Sequence, residues 1–126
     1  MVVVDTSAVV DYLTGGDWAT TLLASEPALH APHVVDVEVL GVLRRLARTG
    51  ELTTKRASDA LDDFMQLRIE RYAHVPLLAT MWKLRENVAP RDGAFVALAE
   101  LLDADLVTRD KRLARAVGRR VRVVTP

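Results

Sequence analysis

The chain contains no cysteine. Disulfides, thiolate metal ligands and thiol nucleophiles are excluded together, and the absence fits a reducing cytoplasm, which is the expected location. Aromatic residues make up only 5% of the 126 positions. Trp18, Trp82 and Phe64 therefore read as core or interface residues rather than base-stacking platforms. No apolar run approaches the ~18 residues of a membrane span, so no membrane association is expected. The opening "MVVVDTSAVVDYL" lacks a basic flank, and Asp5 and Asp11 interrupt its apolar run, so it does not read as a signal peptide. There is no glycine-rich phosphate loop and no G-x-S-x-G elbow, which leaves Ser7 without an evident catalytic partner. His30 and His74 fall in expected strands and His33 at a helix start, and none is taken as a ligand or general base.

Half of the residues are hydrophobic. That is enough for one core, and the length predicts one domain over 1–126. Acidic and basic side chains balance at 17 each, but residues 109–122 hold seven Arg and Lys against the single acid Asp110. The body is thus acidic and the C-terminal end basic. Such asymmetry points toward a nucleic-acid partner; a solvated helix with an edge strand is the plain alternative.

The patterning predicts strands at "VVVD" (2–5), "ALHAP" (28–32), "RYAHV" (71–75), 105–108 and "VRVV" (121–124). Helices are predicted from Thr6 or Ser7 to the Gly15-Gly16 pair, from Asp17 to about Ser25, over 34–48 with Gly50 as stop, from Thr53 or Thr54 to about 67, over 77–85, from Pro90 to about 102, and over 111–117. Pro suits the first position of a helix. Strands alternating with helices predict an α/β domain with a parallel sheet. In such sheets sites lie beyond the carboxyl ends of the strands, where Asp5 and Asp110 both fall.

Each acid has a plain reading and a functional one. Asp5 and Asp110 could simply cap helices. Asp92 lies in a helix's first turn, where the helix dipole favours it, yet Phe95, Val96 and Ala99 place it on the inward stripe. Glu38 has only Val34, Val35, Gly41 and Val42 at helical spacing, so nothing on its own helix pairs with it. Asp36 is a second candidate on that helix, and spacing alone does not choose between them. Several carboxylates converging without basic partners would require a cation. All-oxygen ligands suit Mg²⁺ or Mn²⁺, and such ions activate water and polarise phosphoryl groups. An acidic pocket beside a basic surface would suit cleavage of a polyanion.

Taken in order, "VVVDTSAVVDYL", "APHVVDVEVLGVLRRL" and "PRDGAFVALAELLDADLVTRDKRLARAV" resemble the PIN-domain ribonucleases, and among them the VapC toxins of prokaryotic toxin–antitoxin modules. The likeness implies a three-layer α/β/α fold around a roughly five-stranded parallel sheet. It also implies a Mg²⁺- or Mn²⁺-dependent endoribonuclease acting as a toxin, a homodimer, and inhibition by a cognate VapB-type antitoxin. Carried over by position, the catalytic acids are Asp5, Glu38, Asp92 and Asp110, with Asp5, Asp92 and Asp110 as metal ligands and Thr6 and Thr108 supporting them. The resemblance favours Glu38 over Asp36. Arg91 before the third acid and Arg109 inside the Thr-x-Asp turn depart from the family's usual smaller or uncharged residues. Arg112, Arg115 and Arg119, clustered beside Asp110, are expected to contact RNA phosphate. The competing readings are a non-enzymatic receiver-like domain and a catalytically silent PIN fold that only binds a partner.

Overall fold

A computed structural model describes residues 1–126. Val2–Val4 form strand β1, three β-branched residues with almost no exposed surface. Such a run suits a strand covered on both faces. Helices α1 (Thr6–Leu13) and α2 (Asp17–Ala24) lead to β2 (Leu29–Pro32). The long α3 (Val34–Thr49) ends at Gly50, whose φ of 79° is the left-handed stop that glycine accepts without strain. Next come α4 (Thr54–Gln66), β3 (Ile69–Tyr72), a 3-10 turn (Val75–Leu77), α5 (Leu78–Lys83) and α6 (Pro90–Leu102). Strand β4 (Asp105–Val107), α7 (Lys111–Val117) and β5 (Val123–Val124) complete the chain.

All four strand pairings are parallel, in the order β3-β2-β1-β4-β5. The chain steps outward from β1 to β3, then crosses back and steps outward again through β4 to β5. Right-handed crossovers therefore place α1–α4 on one face and α5–α7 on the other. The packing agrees: α1 rests on α2 and α3, and α3 on α4, while α6 lies over β1, β2 and β4 with α5 against it. This is the expected three-layer architecture. From Gly93 to Ala99 every residue of α6 is buried, so its inward side is broader than the single stripe read from the sequence.

Several boundaries differ from the sequence reading. The third strand is Ile69–Tyr72, not 71–75, because its register is set by β2: Ile69 lies opposite Leu29 and Tyr72 opposite Pro32. His74 consequently leaves the sheet and accepts the backbone N–H of Val34 on Nε2 at 3.0 Å. The last strand is only Val123–Val124. Of the possible caps Asp5, Thr6 and Ser7, the first helix uses Asp5, which takes the N–H of Ala8, so the plain reading of Asp5 as a cap holds.

Candidate active site

Strands β1 and β4 are neighbours, and their onward connections run to opposite sides of the sheet. The crevice outside their carboxyl ends is where open parallel sheets bind ligands. Asp5 stands at that point, 7% exposed, with its backbone N–H donating to Val107 of β4. Its Oδ1 accepts from Ser7 Oγ at 2.6 Å and from the N–H of Ala8, and its Oδ2 accepts from Thr108 Oγ1. A carboxylate offers about four acceptor positions, so one on Oδ2 remains open. Thr108 Oγ1 in turn accepts the N–H of Asp110, and Ser7 Oγ accepts the N–H of Arg109. Two hydroxyls thereby tie the acid after β1 to the turn after β4.

The other acids come from three helices. Glu38, one turn into α3, accepts Thr6 Oγ1 on Oε1 at 2.9 Å, and Arg91 Nε lies 2.9 Å from Oε2. The absence of a partner on its own helix is thus made good from α6, a contact between segments 53 residues apart that helical spacing cannot show. Asp92 is half-buried in the first turn of α6 and takes part in no ion pair. Asp110 is exposed at the start of α7 and accepts the N–H groups of Arg112 and Leu113 on Oδ1. The cap reading of Asp110 is therefore satisfied by one oxygen, while the other stays open.

The acids feel one another. Burial pushes the Asp5 carboxyl above its ordinary range against three hydrogen bonds that favour the anion, and the charge of Asp92 adds to the push. Burial likewise raises Glu38, opposed by Thr6 and Arg91 and reinforced by Asp92 and Asp5. Asp92 is raised by burial and by Asp110, with Arg91 opposing. In the chain alone no three carboxylates close around a single point. The donor chemistry nevertheless fits a hard divalent cation: every donor is oxygen, Asp5 keeps an open position, and Asp92 has no counter-charge paired to it.

Asp36 is not part of this group. Arg71 of β3 holds it at 2.8 and 3.0 Å through Nε. His30 bonds Tyr72 Oη through Nδ1, and His74 is occupied by Val34. Arg109 turns back to Asp11 at 2.9 Å and lies over the Trp18 ring. Sequence reasoning left Ser7 without a role and noted Arg91 only as a departure from the family's pattern. Ser7 carried a faint signal, two residues after a candidate acid. Arg91 carried a clearer one, a cation in the first turn of a helix, where the dipole favours acids.

The PIN domain pattern matches residues 2–118. The chain belongs to the PIN-domain family. Ribonuclease VapC1 of Mycobacterium tuberculosis is 45% identical over 120 residues, spanning 92% of this chain and 90% of the relative, which places the chain among the VapC members of the family. PAE2754 from Pyrobaculum aerophilum shares the fold with a TM-score of 0.74 at 23% identity, over 98% of this chain and 88% of that one. The structure described as VapBC2 from Rickettsia felis bound to a DNA fragment from their promoter matches with a TM-score of 0.72 at 16% identity, over 100% of this chain and 99% of that one.

Proposed function

We propose that this PIN-domain protein is a divalent-metal-dependent endoribonuclease, the toxin of a toxin–antitoxin pair. The observation that carries the metal-site reading is the hydrogen-bonded frame at the carboxyl end of β1, where Ser7 and Thr108 hold Asp5, Thr108 also takes the N–H of Asp110, and Thr6 holds Glu38; burial and mutual repulsion raise Asp5, Glu38 and Asp92 there. Ribonuclease activity follows from the VapC relative. Asp5, Asp92 and Asp110 would hold Mg²⁺ or Mn²⁺, which when bound supplies a stronger nucleophile and neutralises charge on the phosphate. Thr108 and Ser7 orient Asp5, and Thr6 fixes Oε1 of Glu38. Oε2 of Glu38 is then the atom suited to take a proton from the attacking water, since a raised carboxyl pKa brings a base nearer to working pH.

Arg112, Arg115 and Arg119 are exposed and unpaired, unlike Arg120 and Arg122, which meet Glu100 and Asp105. The three free cations suit the RNA backbone, and their contribution would weaken with salt. A VapB-type antitoxin is the expected partner, since the Rickettsia felis neighbour is a VapBC complex. A homodimer formed partly by residues 53–67 and 77–85 is supported by apolar side chains left exposed there, Met65, Leu78 and Trp82. No helix is long and apolar enough to cross a membrane.

The test is purified protein with total RNA, in Mg²⁺ or Mn²⁺ and in EDTA, with the cut ends mapped. Discrete cuts that vanish in EDTA are expected, and undiminished cutting in EDTA by nuclease-free protein would contradict the proposal.

A further inference from the structure

Arg91 stands in an unfavourable place. It follows Pro90 at the start of α6, and a cation there opposes the helix dipole. Its one ion pair is with Glu38, made through Nε, and its side chain is 70% exposed. Glu38 is the reverse, 14% exposed and fixed on its other oxygen by Thr6. One partner is thus immobile and the other nearly free. Arg91 is solvated and can exchange this partner for another anion, whereas Glu38 cannot follow it and, left beside Asp92 and Asp5, would need a replacement cation. A guanidinium also forms charge-assisted, two-pronged bonds with phosphate. An RNA strand crossing toward the basic surface of α7 would bring phosphates to the site.

We propose that Arg91 is a substrate-released latch: in the free protein it holds Oε2 of Glu38, and an RNA phosphate draws it away, opening that carboxylate to the attacking water and lifting a positive charge from beside the cation's ligand Asp92. The latch rests on the metal-site reading above. Its consequence is reciprocal, because whatever RNA does to cation affinity the cation must do to RNA affinity. The free chain would bind the cation weakly, and RNA would strengthen that binding. Arg91 is a positioning residue in this scheme, acting on phosphate and on Glu38 and not on the reacting atoms.

The experiment titrates Mn²⁺ into RNA-free protein, read by electron paramagnetic resonance, for the parent, Arg91→Gln and Asp92→Asn. A second arm measures binding of a short mixed-sequence RNA in EDTA over a range of salt. Arg91→Gln is expected to tighten Mn²⁺ roughly three- to tenfold without RNA, and to reduce the salt slope of RNA binding by about 0.7, one phosphate's worth for a single strand. Arg91→Lys keeps the charge and should keep the slope. Unchanged or weaker Mn²⁺ binding in Arg91→Gln, or an unchanged salt slope, overturns the latch. Asp92→Asn separates the two ideas. If it weakens Mn²⁺ while Arg91→Gln does not tighten it, only the latch fails. If Asp92→Asn leaves Mn²⁺ binding intact, the metal site itself is wrong and the latch falls with it.

Discussion

Helix α3 carries two acids two residues apart, each facing an arginine, and the two pairs are built differently. Asp36 is gripped by Arg71, whose Nε meets both carboxylate oxygens, whose Nη1 bonds the Ile69 carbonyl, and whose guanidinium lies 5.5 Å from the Phe64 ring. That arginine is 28% exposed and fixed on several sides. Arg91, facing Glu38, is 70% exposed and makes one contact. Arg71 ties α3 to the edge strand β3, while Arg91 leaves Glu38 neutralised but reachable. On the reading proposed above, the Asp36 pair serves the fold and the Glu38 pair the chemistry.

The sharpest way to break this comparison is through activity. Glu38→Gln should lower cleavage in Mn²⁺ at least about a hundredfold, equivalent to ~2.7 kcal/mol of lost transition-state stabilisation. Asp36→Asn should leave cleavage within about twofold once the protein is folded. Cleavage rates for the two purified variants check this, and equal losses would erase the distinction between the pairs. A smaller effect concerns stability. Arg71→Ala removes charged hydrogen bonds from a half-buried site and should cost about 1–2 kcal/mol, whereas Arg91→Ala, which takes away a solvated side chain with one contact, should cost less. Denaturant midpoints in EDTA measure both.

The smallest effect is with pH. Asp5, Glu38 and Asp92 have folded-state pKa values raised above their unfolded ones, chiefly by burial. For a raised carboxyl, stability is fully present below the unfolded pKa and is lost as pH rises through the folded one. The metal-free protein should therefore gain stability from these groups as pH falls from neutrality toward the ordinary carboxylate range. Asp92→Asn should flatten that trend in melting curves taken in EDTA. A slope identical to the parent's would remove Asp92 from the coupled set.

What the sequence disclosed about this arrangement follows from how local each feature is. "VVVD" and "LVTRD" announce acids at strand ends, because strand propensity and a following polar residue are local properties. Glu38 and Asp36 could not be separated by spacing, since what distinguishes them is Arg71, a cation brought in by the pairing of β3 with β2. The third strand was placed two residues late for the same reason. Its limits are fixed by the register with Leu29–Pro32 and not by its own composition. The bonds from Thr108 to Asp5 and from Arg109 to Ser7 join residues about a hundred positions apart, and no periodicity reports such a contact.

Asp110 offers the cleanest test of the central claim, that these acids form a cation site. Its Oδ1 caps α7 through two backbone N–H groups, and asparagine caps a helix about as well as aspartate. Asp110→Asn therefore removes a charge while keeping the cap. The measurement is paired: melting temperature in EDTA, and cleavage rate in Mg²⁺ or Mn²⁺. The melting temperature is predicted to hold or rise, because a carboxyl that repels Asp92 has been neutralised, while cleavage falls by orders of magnitude. A folded Asp110→Asn protein that cuts RNA at the parental rate would contradict the account and leave Asp110 as a helix cap alone.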